Sequence, residues 1–217
     1  MKKMSDEFMK LPPAAHLKMS GIYCRPLEIS DAPYFYVWVN DPDLRLYFDR
    51  YFVELLEEEE DWIKNLSKRK HQNQVWMICL EDGTRVGSMG LHSINLKNGT
   101  ATTGAMFGNK ECHSKGIGEK AKHLILNHAF NVLNLRQIYS ELLSFNLRSR
   151  RYNEKCGYKE VALLPNHVRV GDQFFDHVTL MVTRESWLPI WEKFRTDHQI
   201  ESFEEMLART MIPRTTE

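Results

Sequence analysis

The stretch "KECHSKGIGEKAKHLILNHAF", residues 110–130, places two glycines, Gly116 and Gly118, at the start of a segment with helical periodicity. Glycine has no Cβ, so its amide can approach a bulky group closely and its φ angle can be positive. A helix start also presents unpaired N–H groups at the positive end of the helix dipole. The glycines at this helix start therefore predict a binding site for an anion, such as a phosphate group.

The helix predicted behind the glycines carries apolar or small residues with a period of 3.6. The members of this stripe are Ala121, Leu124, Ile125, Ala129 and Val132. His128 falls in the same stripe. We interpret it as a hydrogen-bonded core residue rather than a ligand.

Composition and charge limit the class of protein. The chain has 217 residues with 29 Lys+Arg and 29 Asp+Glu, so its formal net charge is zero, which argues against nucleic acid or an anionic membrane as the main partner. The first residues lack the apolar region of a secretory signal, and no apolar run approaches a membrane span. Four cysteines, Cys24, Cys79, Cys112 and Cys156, show no CxxC spacing. We expect buried thiols in a cytoplasmic protein, without a metal site.

The first half of the chain predicts both helices and strands. "GIYCRPLEI" alternates as a strand, "APYFYVWV" follows a Ser-Asp N-cap as a short helix, "NDPDLRLYFDRYF" is a turn-rich loop, and Glu54–Lys70 is a charged helix. Three antiparallel strands then follow over residues 74–108. Asp82-Gly83 and Asn98-Gly99, two strong hairpin signals, separate them.

The second half continues with a strand, "QIYSELLSF", a short helix, "NLRSRRYNEKC", and a hairpin that turns near Gly171-Asp172. We predict an α+β domain over residues 21–185, with a mostly antiparallel sheet that contains one β-α-β crossover. Residues 1–20 are expected to be a loose arm and residues 186–217 a helical C-terminal appendage. The apolar spacing of that appendage suits either intramolecular packing or a homodimer contact.

The order of these elements, with "HSKGIGEKA", "FNLRSRRYNEKCGY" and "HVRVGDQFFDHVTLMV" at their expected places, resembles the GCN5-related N-acetyltransferase (GNAT) family. Within it, the chain is most similar to the branch of ribosomal-protein N-terminal and spermidine acetyltransferases. The resemblance implies a mixed sheet splayed at its centre and flanked by helices. It also implies acetyl-CoA as cosubstrate, no metal, and an amine acceptor: a protein α-amine, a polyamine or an amino sugar.

The resemblance further implies that the glycine loop binds the pyrophosphate of coenzyme A, mainly through backbone N–H groups. The residues concerned are His113, Ser114, Lys115, Gly116, Ile117, Gly118, Glu119 and Lys120. The strand end before the loop is expected to bind the pantetheine arm through Met106, Phe107 and Gly108, together with Asn146. His113 stands where the family usually has Arg or Gln.

Acetyl transfer to an amine requires a neutral amine, a polarised thioester carbonyl and a proton for the leaving thiolate. Many relatives place the acid, a tyrosine, at the position of Asn153. The N-x-x-S spelling from Asn146 to Ser149 instead resembles the ribosomal-protein branch and implies Ser149 as the proton donor. Tyr152 is the alternative acid.

The base has several candidates. His167 stands where the ribosomal-protein branch keeps a carboxylate, and histidine titrates near neutrality. His92, Glu141 and a water chain stay open as alternatives. The glutamate that many relatives keep two positions before Gly104 is Thr102 here.

The acceptor is expected against the loop from Asn40 to Phe52 and the final hairpin. Three carboxylates of this loop, Asp41, Asp43 and Asp49, would attract a cation unless they are solvated turn residues. The aromatic residues Trp38, Tyr47, Phe48, Tyr51 and Phe52 are either walls of an acceptor slot or core. Because residues 113 and 153 depart from the family pattern, a non-catalytic acyl-CoA-binding or interaction protein on the same fold is the alternative function.

Overall fold

The computed structural model describes residues 17–48, 52–113 and 115–200. Their strands are β1 (Leu17–Met19), β2 (Ile22–Pro26), β3 (Gln74–Leu80), β4 (Arg85–Asn95), β5 (Thr100–Met106), β6 (Gln137–Leu143), β7 (Lys159–Val170) and β8 (Gln173–Thr183). Their α-helices are α1 (Ala32–Asn40), α2 (Pro42–Arg45), α3 (Leu56–Leu66), α4 (Ile117–Asn127), α5 (Leu147–Lys155) and α6 (Arg184–Asp197). The strands and helices predicted within the described residues are found. The short strand β1 lies in the predicted N-terminal arm, and the helix α2 lies in the segment predicted as a turn-rich loop.

The strands form one sheet in the order β1-β2-β3-β4-β5-β6-β8-β7. Neighbours are antiparallel except β5 and β6, which are parallel and joined through α4. The predicted hairpins at Gly83, Gly99 and Gly171 are confirmed, and each of these glycines has a positive φ. This mixed, mostly antiparallel sheet confirms the predicted fold class.

The sheet splays at its centre, between β5 and β6. The two strands pair only from Thr100 with Gln137 to Thr103 with Ser140. Beyond that point β5 stays bonded to β4, and β6 to β8. The edge of β5 that faces β6 is therefore unpaired over residues 104–106. We call this divergence the fork, and it leaves backbone groups that a ligand can satisfy.

Helices cover both faces of the sheet. The larger core, on the face of α4, α5 and α6, includes Leu124, Ile125 and Ala129, as the stripe predicts. Val132 is 66% exposed, so the stripe is wrong at its last position. The reason is local: residues 128–132 form a π-helical turn, which departs from the 3.6 period. His128 is buried, with a ring nitrogen 3.0 Å from Gln74 Oε1, which confirms its place as a core residue.

A second, smaller core lies under α1 and α3 and includes Phe35, Val39 and Ile63. A buried ion cluster fixes the start of α1. Asp31 accepts two hydrogen bonds from Arg25, both at 2.7 Å, and one from Arg85 Nε at 2.7 Å. These hydrogen bonds connect the start of α1 to β2 and β4.

Helix α6 packs Trp187 and Trp191 into the larger core. Trp187 is fully buried, and its Nε1–H donates to His123 Nδ1 at 3.2 Å. The division of the chain at residues 20 and 185 stays a prediction, and residues 1–16 and 201–217 lie outside the described part. The four cysteines are all buried and free.

Candidate active site

The fork opens into a cleft of about 260 Å³, which we call the fork cleft. Both diverging strands, the α2 region and the start of α5 contribute its walls. Its lining residues are Leu44, Tyr47, Phe48, Thr103, Gly104, Ala105, Met106, Phe107, Ser140, Glu141, Leu142, Asn146, Arg148, Ser149 and Tyr152. The cleft therefore joins the unpaired edge of β5 to the predicted acid candidates.

The glycine loop leads into α4 beside this cleft. Gly116 is the N-cap of α4 with φ 73°, and no atom of the other described residues lies within 4 Å of the position that a Cβ would occupy. A Cβ on Gly118 would lie 3.4 Å from both Phe107 and Tyr152. Ile117 is buried in the core. The loop thus offers backbone amides in open space, which is the arrangement an anionic group requires.

The other side chains of the loop have structural partners. Lys120 Nζ donates to the carbonyl of Ser20 at 3.0 Å, and Glu119 pairs with Lys155 at 2.6 Å. Lys115 is exposed beside the loop, and Ser114 lies outside the described residues. Of the described loop residues, backbone N–H groups and Lys115 are best placed for a phosphate.

His113 links the strand end to α5. Its Nδ1 lies 3.0 Å from Arg148 Nη1, and its Nε2 lies 3.0 Å from the carbonyl of Phe107. Because arginine only donates, Nδ1 accepts and Nε2 carries the proton. Arg148 is exposed at the mouth of the fork cleft, a residue that sequence reasoning missed. The arginine run in "NLRSRR" was the available signal.

Two residues predicted to bind the pantetheine arm, Met106 and Gly108, are packed against other parts of the protein at their side-chain positions. Met106 is buried in the smaller core, on the opposite face from α4. A Cβ on Gly108 would overlap the ring of Trp38, so only glycine fits there. What these residues can offer a ligand is their backbone.

The start of α5 brings both acid candidates into the fork cleft. Asn146 caps the helix, because its Oδ1 accepts from the Ser149 amide at 3.1 Å. Ser149 Oγ lies 3.2 Å from the hydroxyl of Tyr152, and burial raises the pKa of Tyr152. Asn153 points into the interior and donates to the Ser149 carbonyl at 2.9 Å. The helix register therefore directs residues 149 and 152, rather than 153, at the cleft.

A second cavity of about 210 Å³ lies on the opposite face of β5, under α1 and α3. We call it the acceptor cavity. It shares Gly104, Ala105, Met106 and Phe48 with the fork cleft. The two spaces therefore meet at the unpaired end of β5.

His92 lies across the floor of the acceptor cavity. A Cβ on Gly90 or Gly104, which pair in register, would be 2.9 or 3.2 Å from His92 Nε2. Two facing glycines thus make room for the imidazole. Burial, and secondarily the charge of Lys122, lower the pKa of His92. The ring is therefore neutral at neutral pH and can accept a proton.

Glu59 of α3 also lines the acceptor cavity and is only 3% exposed. The aromatic residues Phe35 and Trp62 lie beside it in the lining. Sequence reasoning missed this carboxylate within a run of glutamates. Its spacing to Trp62 and Ile63, three and four residues later, was the signal that placed it on the inward face of the helix.

Residues 22–159 match the acetyltransferase (GNAT) domain family. The chain belongs to this family. It is 26% identical over 177 residues to the probable N-acetyltransferase YjcK of Bacillus subtilis, covering 76% of the chain and 96% of that protein. It is 24% identical to spermidine N(1)-acetyltransferase of Escherichia coli K12, covering 81% of the chain and 91% of that enzyme.

Solved structures share the GNAT fold. Spermidine N-acetyltransferase of Vibrio cholerae, in complex with CoA and spermine, superposes with a TM-score of 0.71 at 20% identity, over 78% of this chain and 99% of that one. RimJ of Mycobacterium smegmatis, in complex with CoA-disulfide, also superposes with a TM-score of 0.71 at 20% identity, over 81% of this chain and 88% of that one. The chain is an acetyl-CoA-dependent N-acetyltransferase, which confirms the predicted family, reaction and cosubstrate. No comparison supports the non-catalytic alternative.

The GNAT domain holds His167 apart from the fork cleft. It is exposed on β7, and its ring centre lies 6.0 Å from that of His177. Both line a neighbouring cleft of about 410 Å³, together with Glu141 and Tyr47. Glu141 and Tyr47 also line the fork cleft. The structure thus brings His92, rather than His167, to the end of β5.

The loop from Asn40 to Phe52 has mixed roles in this GNAT domain. Asp41 and Asp43 form ion pairs with Lys110 at 2.8 and 2.7 Å, which fasten the loop to the segment after β5. The ring of Trp38 belongs to the smaller core, whereas Tyr47 and Phe48 line the fork cleft. Phe52 is 85% exposed. The predictions for Asp49 and Tyr51 lie outside the described residues.

The described residues contain no group of three or more His, Cys, Asp or Glu residues that could bind a metal ion. No helix among them has the length and apolarity needed to span a bilayer.

Proposed function

We propose that this enzyme acetylates the primary amine of a small aliphatic cation of the polyamine type. The observation that carries the proposal is Glu59, a buried carboxylate in an aromatic-walled cavity next to the fork. Its negative charge at the cavity lining would attract a cationic amine that enters the cavity. The spermidine acetyltransferase of E. coli and the spermine complex of the V. cholerae enzyme support the same acceptor class.

The dimensions of the acceptor cavity favour a narrow amine. A space of about 210 Å³ accommodates a short alkyl chain, and Phe35 and Trp62 offer it apolar contact and a ring face for a cation. A protein α-amine is the second candidate, because the similar RimJ structure bears the name of a ribosomal-protein enzyme. An amino sugar is the weakest candidate, since its hydroxyl groups need more polar partners than this lining offers.

The glycine loop is proposed to bind the pyrophosphate of acetyl-CoA through the amides of residues 115–120, with Lys115 and Arg148 adding positive charge. The unpaired edge of β5, residues 104–106, is proposed to bind the pantetheine arm, and Asn146 to contact it from α5. Acetyl-CoA supplies the thioester whose acetyl group is transferred. The residues of the chain supply position and proton transfer.

His92 is the proposed base. Its imidazole is neutral at neutral pH and lies at the end of β5, where the two cavities meet. It would take the proton from the amine as the C–N bond forms. His167 and a water chain are the alternatives, and His167 lines the neighbouring cleft instead.

Ser149 is the proposed acid. As the C–S bond breaks, its hydroxyl would give a proton to the thiolate and recover one from solvent. The Ser149 hydroxyl donates to that of Tyr152 at 3.2 Å, and both residues line the fork cleft. Direct donation by Tyr152 is the alternative.

The cellular setting is also a proposal. Four free, buried thiols suit the reducing cytoplasm. A homodimer stays open as well, and the mass of the full chain in solution would test it.

The acceptor class is tested with purified full chain and acetyl-CoA. Thiol release is measured over spermidine, butylamine, a peptide with a free α-amine and glucosamine. We expect the highest kcat/KM with spermidine. In Glu59→Gln the spermidine KM should rise about tenfold, as for a lost charged hydrogen bond, with the acetyl-CoA KM unchanged. Glu57→Gln, on the exposed side of the same helix, is the matched control. If the peptide were the preferred acceptor and Glu59→Gln left the spermidine KM unchanged, the proposal would be contradicted.

A further inference from the structure

The apolar face of α4 contains a lysine. Lys122 is fully buried, with an exposed fraction of 0%. Its Nζ donates to Thr103 Oγ1 at 2.7 Å, and it lies 5.4 Å from the ring centre of Tyr152 and 5.3 Å from that of Tyr158. A lysine is rarely buried without a purpose, because its charged form loses its hydration.

Lys122 is attached to the apex of the fork. Thr103 is the last residue of β5 that pairs with β6. Its hydroxyl lies 3.1 Å from the carbonyl of Tyr139 and 3.1 Å from the hydroxyl of Tyr158. Since a hydroxyl has one proton, Thr103 donates to the carbonyl and accepts from Lys122 and Tyr158. The lysine thus completes a network that joins the two strands where they part.

Lys122 neighbours residues that line the two cavities. On its own side of the sheet it faces the ring of Tyr152, whose hydroxyl contacts Ser149. On the other side, the residue after Thr103 is Gly104, which His92 covers. The charge of Lys122 contributes to the lowered pKa of His92.

The surroundings of Lys122 govern its own charge. The titratable groups that face it are Tyr152 and Cys156 from α5, Tyr158 from the turn after α5, and His92 from β4. Burial lowers the pKa of Lys122 to about 7. Its charge therefore changes near neutral pH, and negative charge in the fork cleft favours the ammonium form.

We infer that Lys122 is an electrostatic positioning residue for acetyl transfer, resting on the proposed function. Its ammonium group donates to Thr103 at the apex of the fork, adds to the burial that favours the neutral form of His92, and would stabilise negative charge that develops in the fork cleft. It contacts neither substrate. It acts through His92 on one face of the sheet and through the cleft on the other.

The test compares Lys122→Gln and Lys122→Met with the wild-type full chain. Gln keeps a donor for Thr103 without the charge, and Met removes both. We expect kcat with spermidine to fall about tenfold in both variants, the low end of electrostatic contributions, with little change in the affinity for CoA. The NMR titration midpoint of His92 should rise in both, because a neighbouring positive charge is gone.

Thr103→Val is the matched control, because it removes the hydrogen bond and keeps the charge. It should leave the His92 midpoint near the wild-type value. A purely structural role for Lys122 would lower the melting temperature and leave the His92 midpoint unmoved, and that result would overturn the inference. Wild-type kcat in Lys122→Gln would overturn it as well.

The His92 titration needs no turnover. If the wild type fails to acetylate spermidine, the proposed function fails while the coupling of Lys122 to His92 is still measured. If neither variant folds, the wild type decides through the His92 signal: a second inflection near pH 7, where Lys122 changes its charge, supports the inference, and its absence overturns it.

Discussion

The two faces of β5 are built in different ways. On the α4 face, the glycine loop is a local stretch of chain at the start of α4, with Gly116 as the N-cap of the helix. On the α1 face, the acceptor cavity is lined by side chains from three distant elements, with Phe35 from α1, Glu59 from α3 and His92 from β4. On the proposed function, this difference separates a cosubstrate bound by a local motif from an acceptor bound by a tertiary arrangement.

The largest effect is expected at the glycine loop. In Gly116→Val, a β-branched residue would have to adopt φ 73° and its methyl groups would fill the space in front of the amides. We expect affinity for CoA to fall at least a hundredfold, about 2.7 kcal/mol, in isothermal titration calorimetry. Gly171→Val is a matched control, because Gly171 has φ 63° and equally open surroundings in the β7–β8 turn. Equal loss in both variants would mean that backbone strain alone is responsible.

The same contrast explains what the sequence could predict. The hairpins at Gly83 and Gly99 and the helix start at Gly116 follow from short-range chemistry and were found. Glu59 was missed, because its burial depends on which side of α3 meets the sheet.

Lys122 was missed because its partner Thr103 lies 19 residues away in another element. The positions of Ser149 and Tyr152 needed the helix register, which a motif spelling leaves open. Local geometry is readable from sequence, whereas side chains that converge from separate elements require the fold.

A second prediction concerns the acceptor cavity, on the α1 face of β5. His92→Gln should lower kcat about a hundredfold with the affinity for CoA unchanged, because it removes the proposed base and leaves the loop intact. His167→Gln should change kcat less than threefold. Stopped-flow or steady-state thiol release with spermidine measures both. A larger loss at His167 would move the base to the β7 cleft and make that cleft the acceptor side.

An effect of intermediate size is expected at the acid. Ser149→Ala should lower kcat and kcat/KM together, by about tenfold to a hundredfold, since proton donation occurs only in the transition state. CoA affinity should stay within threefold, measured by calorimetry. Tyr152→Phe is the companion variant, since it removes one hydroxyl of the same pair. If Tyr152→Phe abolishes turnover and Ser149→Ala does not, the phenol is the acid.

The smallest effect on activity is expected at His123, the neighbour of Lys122, which faces α6 instead of the fork. Trp187 donates to His123 Nδ1, so a proton there would meet an N–H group, and burial lowers the pKa of His123 to about 4. The unfolded chain therefore binds this proton more readily than the folded one.

Stability linked to His123 is complete above the ordinary histidine pKa near 6.5 and is lost as the pH falls toward 4. The loss amounts to about 3 kcal/mol in the free energy of unfolding. In His123→Gln, which keeps an acceptor for Trp187, this part of the acid sensitivity should disappear, while kcat at pH 7.5 stays within twofold. Urea unfolding at pH 7.5, 6 and 4.5 measures the first, and thiol release the second. Asp31 has a lowered pKa, so its protonation in acid destabilises the wild type and the variant equally. The difference between their free energies of unfolding therefore isolates His123. An unchanged pH dependence in the variant would mean that Trp187 stays docked on a protonated ring.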